Sequence, residues 1–144
     1  MPRRPIGRQV AAIPFTVDET GGLRLLLITS RRSKRWIVPK GWKPRKMKAR
    51  KAAAREAREE AGIVGETSKQ VLGQFLYEKD TPRGRRLCKV KVFALSTREQ
   101  LANWKEQGQR SMRWCSPDAA MTLVSDPGLA DIIASHFVSQ DDRN

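Results

Sequence analysis

The chain has 144 residues, of which 39% are hydrophobic, which is enough for one domain with one core. Its 29 Lys and Arg residues outnumber 15 Asp and Glu residues, and the resulting net charge of +14 attracts negatively charged partners and substrates. No apolar run approaches the roughly 18 residues of a membrane-spanning helix, and the N-terminal Met-Pro-Arg-Arg-Pro lacks the apolar stretch of a signal peptide. We therefore expect a single cytoplasmic domain over residues 1–144 that does not bind membranes, with flexible tails at residues 1–7 and 139–144.

The first half of the chain predicts a β-hairpin, a short strand and one amphipathic helix. Two apolar segments joined by the turn residues 18–22 indicate the hairpin. Gly62 is suited to end the helix, because glycine readily takes the left-handed conformation of a helix C-terminus. The predicted segments are strands at residues 9–17, 23–29 and 36–38, a loop at 40–46 and a helix at 47–61.

The second half predicts another hairpin, a short strand and two helices. The strands of this hairpin alternate basic and apolar residues on either side of a basic turn. Strands that surround one central helix, followed by further helices, predict an α/β (α+β) fold in which a mixed sheet forms a sandwich with the helices. The predicted segments are strands at residues 71–78 and 87–95 around the turn 79–86, a strand at 111–115, and helices at 117–124 and 128–138.

Three glutamates, Glu56, Glu59 and Glu60, lie at positions i, i+3 and i+4 of the predicted central helix. They project from one face, where like charges repel by about 0.2–0.5 kcal/mol per pair, and they lie near the negative end of the helix dipole. One interpretation is a solvated face on which Arg55 pairs with Glu59 and Arg58 assists. The other is a site for a hard divalent cation, since Mg²⁺ binds a few carboxylates while substrate phosphates and waters complete its shell.

The segment 41–63 favours the cation site, because it resembles the Nudix box of a large hydrolase family. That motif has a glycine, then five residues, one further position, seven residues, and Arg-Glu-apolar-x-Glu-Glu-x-Gly-apolar. One position departs from the pattern: the family usually has Glu six residues after the first glycine, where this chain has Met47. The residues at the matching positions are Gly41, Arg55, Glu56, Ala57, Glu59, Glu60, Gly62 and Ile63.

The resemblance implies both a fold and a reaction. The fold is a Nudix-type α/β/α sandwich with a mixed sheet, in which the box forms a catalytic loop-helix-loop. The reaction is Mg²⁺-dependent attack of water on a phosphoanhydride (pyrophosphate) bond, with Mn²⁺ as an alternative ion. The implied metal ligands are the carbonyl of Gly41 and the carboxylates of Glu56, Glu59 and Glu60. Glu56, Glu59 and Arg55 are the implied catalytic residues, and which glutamate acts as the base is left open.

Outside the box, the chain resembles the diphosphoinositol polyphosphate phosphohydrolase branch of the family and its bacterial relatives. This resemblance rests on residues 26–31, 35–39 and 104–114. In that branch a Ser-Arg pair and the basic residues of a later hairpin hold phosphates. The alternative for each hairpin arginine is a solvated surface charge. The implied phosphate-binding residues are Ser30, Arg31, Arg83, Arg85, Arg86 and Arg110.

Lys40 departs from that branch, which in eukaryotes has glycine at this position. The sequence Pro39-Lys40-Gly41 is more similar to that of the asymmetric diadenosine tetraphosphate hydrolases. A lysine beside the metal loop would neutralise a polyphosphate, so Lys40 is also predicted to bind substrate. The expected substrate is a polyphosphorylated small molecule such as an inositol pyrophosphate or a diadenosine polyphosphate.

Two alternative functions stay open from the sequence. One is a hydrolase of nucleoside triphosphates or RNA 5′ ends, which the positive charge would also suit. The other is a Nudix-like module that binds polyanions without hydrolysing them, and the intact run from Arg55 to Glu60 argues against it. No nucleic-acid-binding motif is present, so nucleic acid is not the favoured partner. The sequence is compatible with a monomer or a homodimer.

Overall fold

The computed structural model describes residues 5–138, so the predicted tails lie outside the described residues at positions 1–4 and 139–144. The N-terminal tail prediction is too long, because Gly7 already begins the first strand. The strands are β1 (Gly7–Val17), β2 (Leu23–Thr29), β3 (Trp36–Ile37), β4 (Lys40–Trp42), β5 (Ile63–Thr67), β6 (Gly73–Thr81), β7 (Gly84–Gln100) and β8 (Met112–Cys115). The helices are α1 (Ala49–Ala61), α2 (Pro117–Leu123) and α3 (Pro127–Phe137).

The eight strands of the described chain form one mixed sheet around the pair β1 and β7. These two strands run parallel, with Gln9 opposite Val90, and the other pairings are antiparallel. The edge of β1 that faces away from β7 pairs with β4 and, further along the strand, with β2. The edge of β7 that faces away from β1 pairs with β6 and, further along, with β5. Both predicted hairpins, β1–β2 and β6–β7, are confirmed.

Helices cover both faces of this sheet, which confirms the predicted α/β/α sandwich. On one face, the fully buried Ala53, Ala57 and Ala61 let α1 approach β1 closely. On the other face, Leu129 and Ile133 of α3 pack into a second core cluster. We refer to these as the α1 face and the α3 face. The longest helix in the described part of the chain has 13 residues, and no helix there has the length and apolar content needed to cross a membrane.

Two segments differ from the sequence prediction. Residues 40–42 form strand β4 rather than a loop, because β1 extends far enough to pair with them, as in the pairing of Val10 with Gly41. Strand β5 was not predicted, since its five residues include one glycine and only two apolar side chains. It forms because β7 has 17 residues and offers an unpaired edge beyond β6. The turn of the second hairpin is shorter than the predicted residues 79–86, because β6 and β7 pair as far as Thr81 and Gly84.

Candidate metal and phosphate site

The carboxylate of Glu56 lies directly against the backbone of Gly41. Strand β4 holds Gly41 opposite Val10, and α1 crosses the same face of the sheet. A Cβ atom at position 41 would overlap the Glu56 carboxylate, so only glycine leaves room for this close approach. The structure therefore brings together two of the predicted metal ligands and gives a physical reason for the glycine.

Glu60 lies one helical turn further along α1 and is almost completely buried. Its Oε1 atom accepts a hydrogen bond of 3.3 Å from the backbone N–H of Lys40. Burial raises the pKa of Glu60 to about 8, the charge of Arg110 acts in the opposite direction, and the neighbouring Glu56 carboxyl adds to the rise. A nearby cation would reduce the repulsion between these two carboxyl groups.

Arg110 supplies a positive charge behind Glu60. Its side chain is only 8% exposed, and its Nη2 atom lies 3.8 Å from Oε1 of Glu60. The same guanidinium donates to Oε1 of Glu106 at 3.0 Å and to the carbonyl of Thr29 at 3.1 Å. These contacts occupy the group from three sides, so its surroundings favour a role in holding Glu60 over the predicted direct contact with a phosphate.

Glu59 has a partner outside this pair. Its carboxylate is partly exposed and lies 4.0 Å from the Nζ atom of Lys105. Accordingly, among residues 5–138, no three Asp, Glu, His or Cys side chains are gathered closely enough to hold a metal ion. Mg²⁺ is usually bound through one or two carboxylates plus substrate phosphates and water, so the pair Glu56 and Glu60 with the Gly41 backbone suits such an ion.

Arg55 and Arg58 do not stabilise the glutamates by ion pairs. Arg55 is exposed, and in the part of the chain that the structure describes neither arginine forms a salt bridge. The solvated-face interpretation, with Arg55 paired to Glu59, is therefore not the arrangement found. The predicted role of Arg55 in orienting a glutamate stays a prediction.

Lys40 connects the glutamates to the α3 face of the sheet. Its ammonium group lies 4.7 Å from the ring centroid of Tyr77, whose hydroxyl donates a hydrogen bond of 2.6 Å to Gln9. Burial lowers the pKa of Lys40, and the charge of Lys79 lowers it further. The backbone of Lys40 thus contacts Glu60, while its half-buried ammonium group lies over Tyr77 on the α3 face.

A cavity of about 560 Å³ lies beside Trp42, at the end of β4. Its lining includes the basic side chains Lys79, Arg83 and Arg86, and the Arg86 guanidinium lies 5.2 Å from the Trp42 ring centroid. Lys79 and Arg86 face each other across the β6–β7 ladder. Arg83 and Arg86, two of the three predicted hairpin arginines, therefore line this cavity at the end of β4.

The remaining predicted phosphate ligands, Ser30, Arg31 and Arg85, have contacts within the protein. Arg85 is 72% exposed and pairs with Glu78 and Asp80 of its own hairpin, which matches the surface-charge alternative. Ser30 accepts a hydrogen bond from the N–H of Arg35 and so shapes the β2–β3 turn. Arg31 is 59% exposed and lies 3.8 Å from Glu106, the partner of Arg110.

Sequence reasoning missed three contributors to this site. Glu106, Tyr77 and Trp42 have no role in the box motif. Tyr77 and Trp42 act through contacts with residues distant in sequence, and Glu106 acts through Arg110 four residues later. The available signal for Glu106 was its i, i+4 spacing to Arg110. For Trp42 it was an aromatic residue directly after the box glycine.

Similar proteins support the resemblance found in the sequence. The profile of the NUDIX domain matches residues 7–135. The chain is 31% identical over 121 residues to the mitochondrial Nudix hydrolase 16 of Arabidopsis thaliana, which covers 80% of this chain and 66% of that protein. It is 37% identical over 102 residues to the diphosphoinositol polyphosphate phosphohydrolase 3-alpha of Mus musculus, covering 69% of this chain and 58% of that protein. The chain thus spans about half to two thirds of the length of these curated relatives.

A solved structure supports the fold. The crystal structure of the Ap4A hydrolase of C. elegans superimposes with a TM-score of 0.65 over 94% of this chain and 100% of that chain, at 16% sequence identity. At that identity, the likeness concerns the fold alone. The family profile, in contrast, matches nearly the whole of the described chain, and the box residue Glu56 lies against the box residue Gly41. The chain therefore belongs to the Nudix domain family.

Proposed function

We propose that the chain hydrolyses a phosphoanhydride bond in a highly phosphorylated small molecule with the help of a divalent cation, Mg²⁺ or alternatively Mn²⁺. The observation that carries this proposal is the proximity of two carboxylates at strand β4: Glu56 lies against the backbone of Gly41, and Glu60 accepts a hydrogen bond from the backbone N–H of Lys40. Two neighbouring carboxylates suit a divalent cation whose shell is completed by phosphate oxygens and water. Nudix hydrolases among the relatives agree with this reaction class.

Each residue has a part in the proposed reaction. A bound divalent cation would neutralise phosphate oxygens and lower the pKa of water. Glu56 and Glu60, with the Gly41 carbonyl, would hold that cation, and Arg110 would keep the Glu60 carboxylate in place. Glu59 is partly exposed at the same helix end, where it can take a proton from the attacking water or complete the ligand set.

The substrate that best fits the cleft carries several phosphates. From Lys40, the positive side chains continue through Lys79 to Arg86 and Arg83 around the cavity beside Trp42. Such a row stabilises a chain or ring of phosphates far better than a single diphosphate, because each added negative charge gains a partner. An inositol pyrophosphate and a diadenosine polyphosphate are the two proposed substrate types, and the exposed Trp42 ring offers a stacking surface for an adenine of the second.

The test is phosphate release from a panel of substrates with and without Mg²⁺. The panel contains a diphosphoinositol polyphosphate, diadenosine tetraphosphate, ATP, RNA with a 5′ triphosphate, and ADP-ribose. We expect turnover that requires the metal and is best on the first two substrates. Glu56→Gln and Glu59→Gln should each reduce kcat by on the order of 10²-fold or more, the usual contribution of such a group. Glu66→Gln, at an exposed position of β5, is the matched control and should retain activity.

Two results would contradict the proposal. Full activity in Glu56→Gln, with its fold verified by circular dichroism, would remove the acidic pair from the reaction. Tight binding of the panel compounds without any turnover would favour a binding module. Preference for RNA with a 5′ triphosphate would keep the reaction but reassign its substrate.

A further inference from the structure

Half of the α1 face of the sheet is not covered by α1. Toward the ends of β1 and β7 that α1 covers, the side chains are apolar and buried, as in Ala12, Phe93 and Leu95. Toward the other end, Arg8, Lys89 and Lys91 replace them and are exposed. Strand alternation places these three on the same side of the sheet as Val10. An open, basic half-face therefore lies next to the helix that carries the glutamates.

A hollow of about 390 Å³ occupies this half-face. Lys43, which follows β4, closes one side of it: its N–H donates to the carbonyl of Arg8, and its ammonium donates to the carbonyl of Pro44. No Asp or Glu lines the hollow, and within residues 5–138 none of its basic residues forms a salt bridge. The residues that line it are Arg8, Gln9, Val10, Lys43, Gln74, Lys89 and Lys91.

The positive charges in the hollow lie close together. Arg8 and Lys89 are directly opposite each other on neighbouring strands, which lie about 4.8 Å apart. Lys89 and Lys91 share one side of β7 at about 6.7 Å, twice the rise per residue of a strand. Like charges opposite each other on a sheet are destabilising. A bound anion would relieve this repulsion. Arg85, by contrast, needs no such anion, because it already pairs with the carboxylates of Glu78 and Asp80.

This hollow is separate from the proposed substrate cleft. The cleft residues Lys40 and Tyr77 contact each other on the α3 face, whereas Leu76, the neighbour of Tyr77 along β6, and Lys89, which pairs with Leu76, point to the α1 face. The body of the sheet therefore separates the two sets of cations. A phosphate chain bound in the hollow does not depend on the acidic pair for its contacts.

We propose that the hollow is a second anion site that binds a multiply phosphorylated group. Four flexible cations and the Gln74 amide provide hydrogen-bond donors from several directions, which suits the many oxygens of linked phosphates. A volume of about 390 Å³ is within the range of small-molecule sites and exceeds what one phosphate fills. No aromatic side chain lines it, so it lacks the stacking surface that single-stranded nucleic acid uses. The ligand class is thus a free polyphosphate rather than a nucleic acid strand.

The experiment uses the full chain and inorganic tripolyphosphate without divalent metal, so that no turnover occurs. Backbone amide shifts in ¹⁵N NMR spectra locate the binding site directly. We expect a group of shifted amides around residues 8, 43, 74, 89 and 91, in addition to any group around Lys40 and Arg86. Shifts confined to the second group would overturn the proposal, because the phosphate would then occupy only the substrate cleft.

Matched variants separate a specific site from the general field of a +14 protein. Lys89→Gln with Lys91→Gln should weaken tripolyphosphate binding at the first group on the order of tenfold. Lys69→Gln with Arg98→Gln removes the same charge at exposed positions elsewhere and should change it by less than about twofold. Equal weakening in both double variants would overturn the proposal, as would a 12-residue oligouridylate that binds there and is not displaced by tripolyphosphate. The same spectra report whether each variant is folded.

Discussion

At the scale of single residues, Arg110 is the least exposed of the predicted phosphate ligands whose side-chain exposure is known, at 8% against 59% for Arg31 and 72% for Arg85. Its guanidinium is fixed by Glu106 and the Thr29 carbonyl before it reaches Glu60. A buried cation held in this way orients a neighbouring carboxylate and favours its charged form. We therefore propose that Arg110 acts on the proposed reaction through Glu60, as a positioning residue.

Arg110→Lys is expected to weaken divalent metal binding by about 10- to 100-fold, the usual effect of losing an outer partner of a metal ligand. Lysine keeps the charge but lacks the planar fork that contacts Glu60, Glu106 and Thr29 together. Mn²⁺ binding, followed by electron paramagnetic resonance in the absence of substrate, measures this effect. The KM for a polyphosphate substrate at saturating metal should stay within about threefold.

A second variant distinguishes positioning from phosphate binding. Glu106→Gln leaves Arg110 charged but loosens its anchor, so it should also weaken Mn²⁺ binding, whereas a phosphate-binding Arg110 would be unaffected or improved. Arg31→Ala, at an exposed position in the same neighbourhood, is the control and should leave Mn²⁺ affinity unchanged. Unchanged Mn²⁺ affinity in Arg110→Lys together with a large increase in KM would restore the phosphate role.

The glutamates could be predicted because helical spacing alone places Glu56, Glu59 and Glu60 together. The sequence could not predict that these glutamates have different partners, with Glu56 close to Glu60 and Glu59 close to Lys105. This difference depends on Lys105 and Arg110, which belong to a loop more than 40 residues away in sequence and reach α1 only through the tertiary fold. Buried ion pairs of this kind leave no periodic signal in the sequence.

At the scale of elements, the loop over residues 101–111 fixes the C-terminal end of α1. The Gln100 side chain donates to the carbonyls of Ala61 and Gly62, and the N–H of Glu106 donates to the carbonyl of Glu59. Gly62 ends the helix with a φ of 68°, and the Trp104 ring packs against its Cα. The helix end that carries two glutamates is therefore held by the loop that carries their basic partners.

Gly62→Ala tests this connection. Alanine in the left-handed region costs about 1–2 kcal/mol, and displacement of Trp104 by the new methyl group adds about 1–3 kcal/mol. Gly21→Ala is the matched control: its φ of 85° imposes similar strain, but a methyl group there meets no atom within 4 Å. Urea unfolding of both variants should show a larger loss of unfolding free energy for Gly62→Ala. Equal losses would show that Trp104 does not secure the helix end.

The same elements show what local pattern can and cannot predict. Strands β1 and β2 and helix α1 follow from apolar runs and alanine spacing, because their cores are formed by consecutive or periodic residues. Strands β4 and β5 are short and contain Gly41 and Gly65, so their sequences resemble loops. They are strands only because the long β1 and β7 offer them an edge, and that length is a property of the assembled sheet.

At the scale of the whole molecule, the positive charge is divided between the two faces of one sheet. Lys40, Lys79, Arg83 and Arg86 lie around the proposed substrate cleft, and a separate group lies in the hollow on the α1 face. The acidic pair, Glu56 and Glu60, lies against β4, between these two groups of cations. A polyanion approaching from either side therefore meets mainly basic side chains, as expected for a protein with a net charge of +14.

This arrangement predicts how the proposed activity depends on salt. The kcat/KM for diadenosine tetraphosphate should fall steeply between about 0.01 and 0.1 M KCl, because the Debye length shortens from about 30 to about 10 Å and screens the long-range attraction. ADP-ribose, with a single diphosphate, should respond much less. Steady-state rates for both substrates over this range, at a fixed saturating Mg²⁺ concentration, give the two slopes. Equal salt dependence for the two substrates would mean that only the reacting diphosphate is attracted by the positive charge. The cations beyond Lys40 would then have no part in selecting a densely phosphorylated substrate.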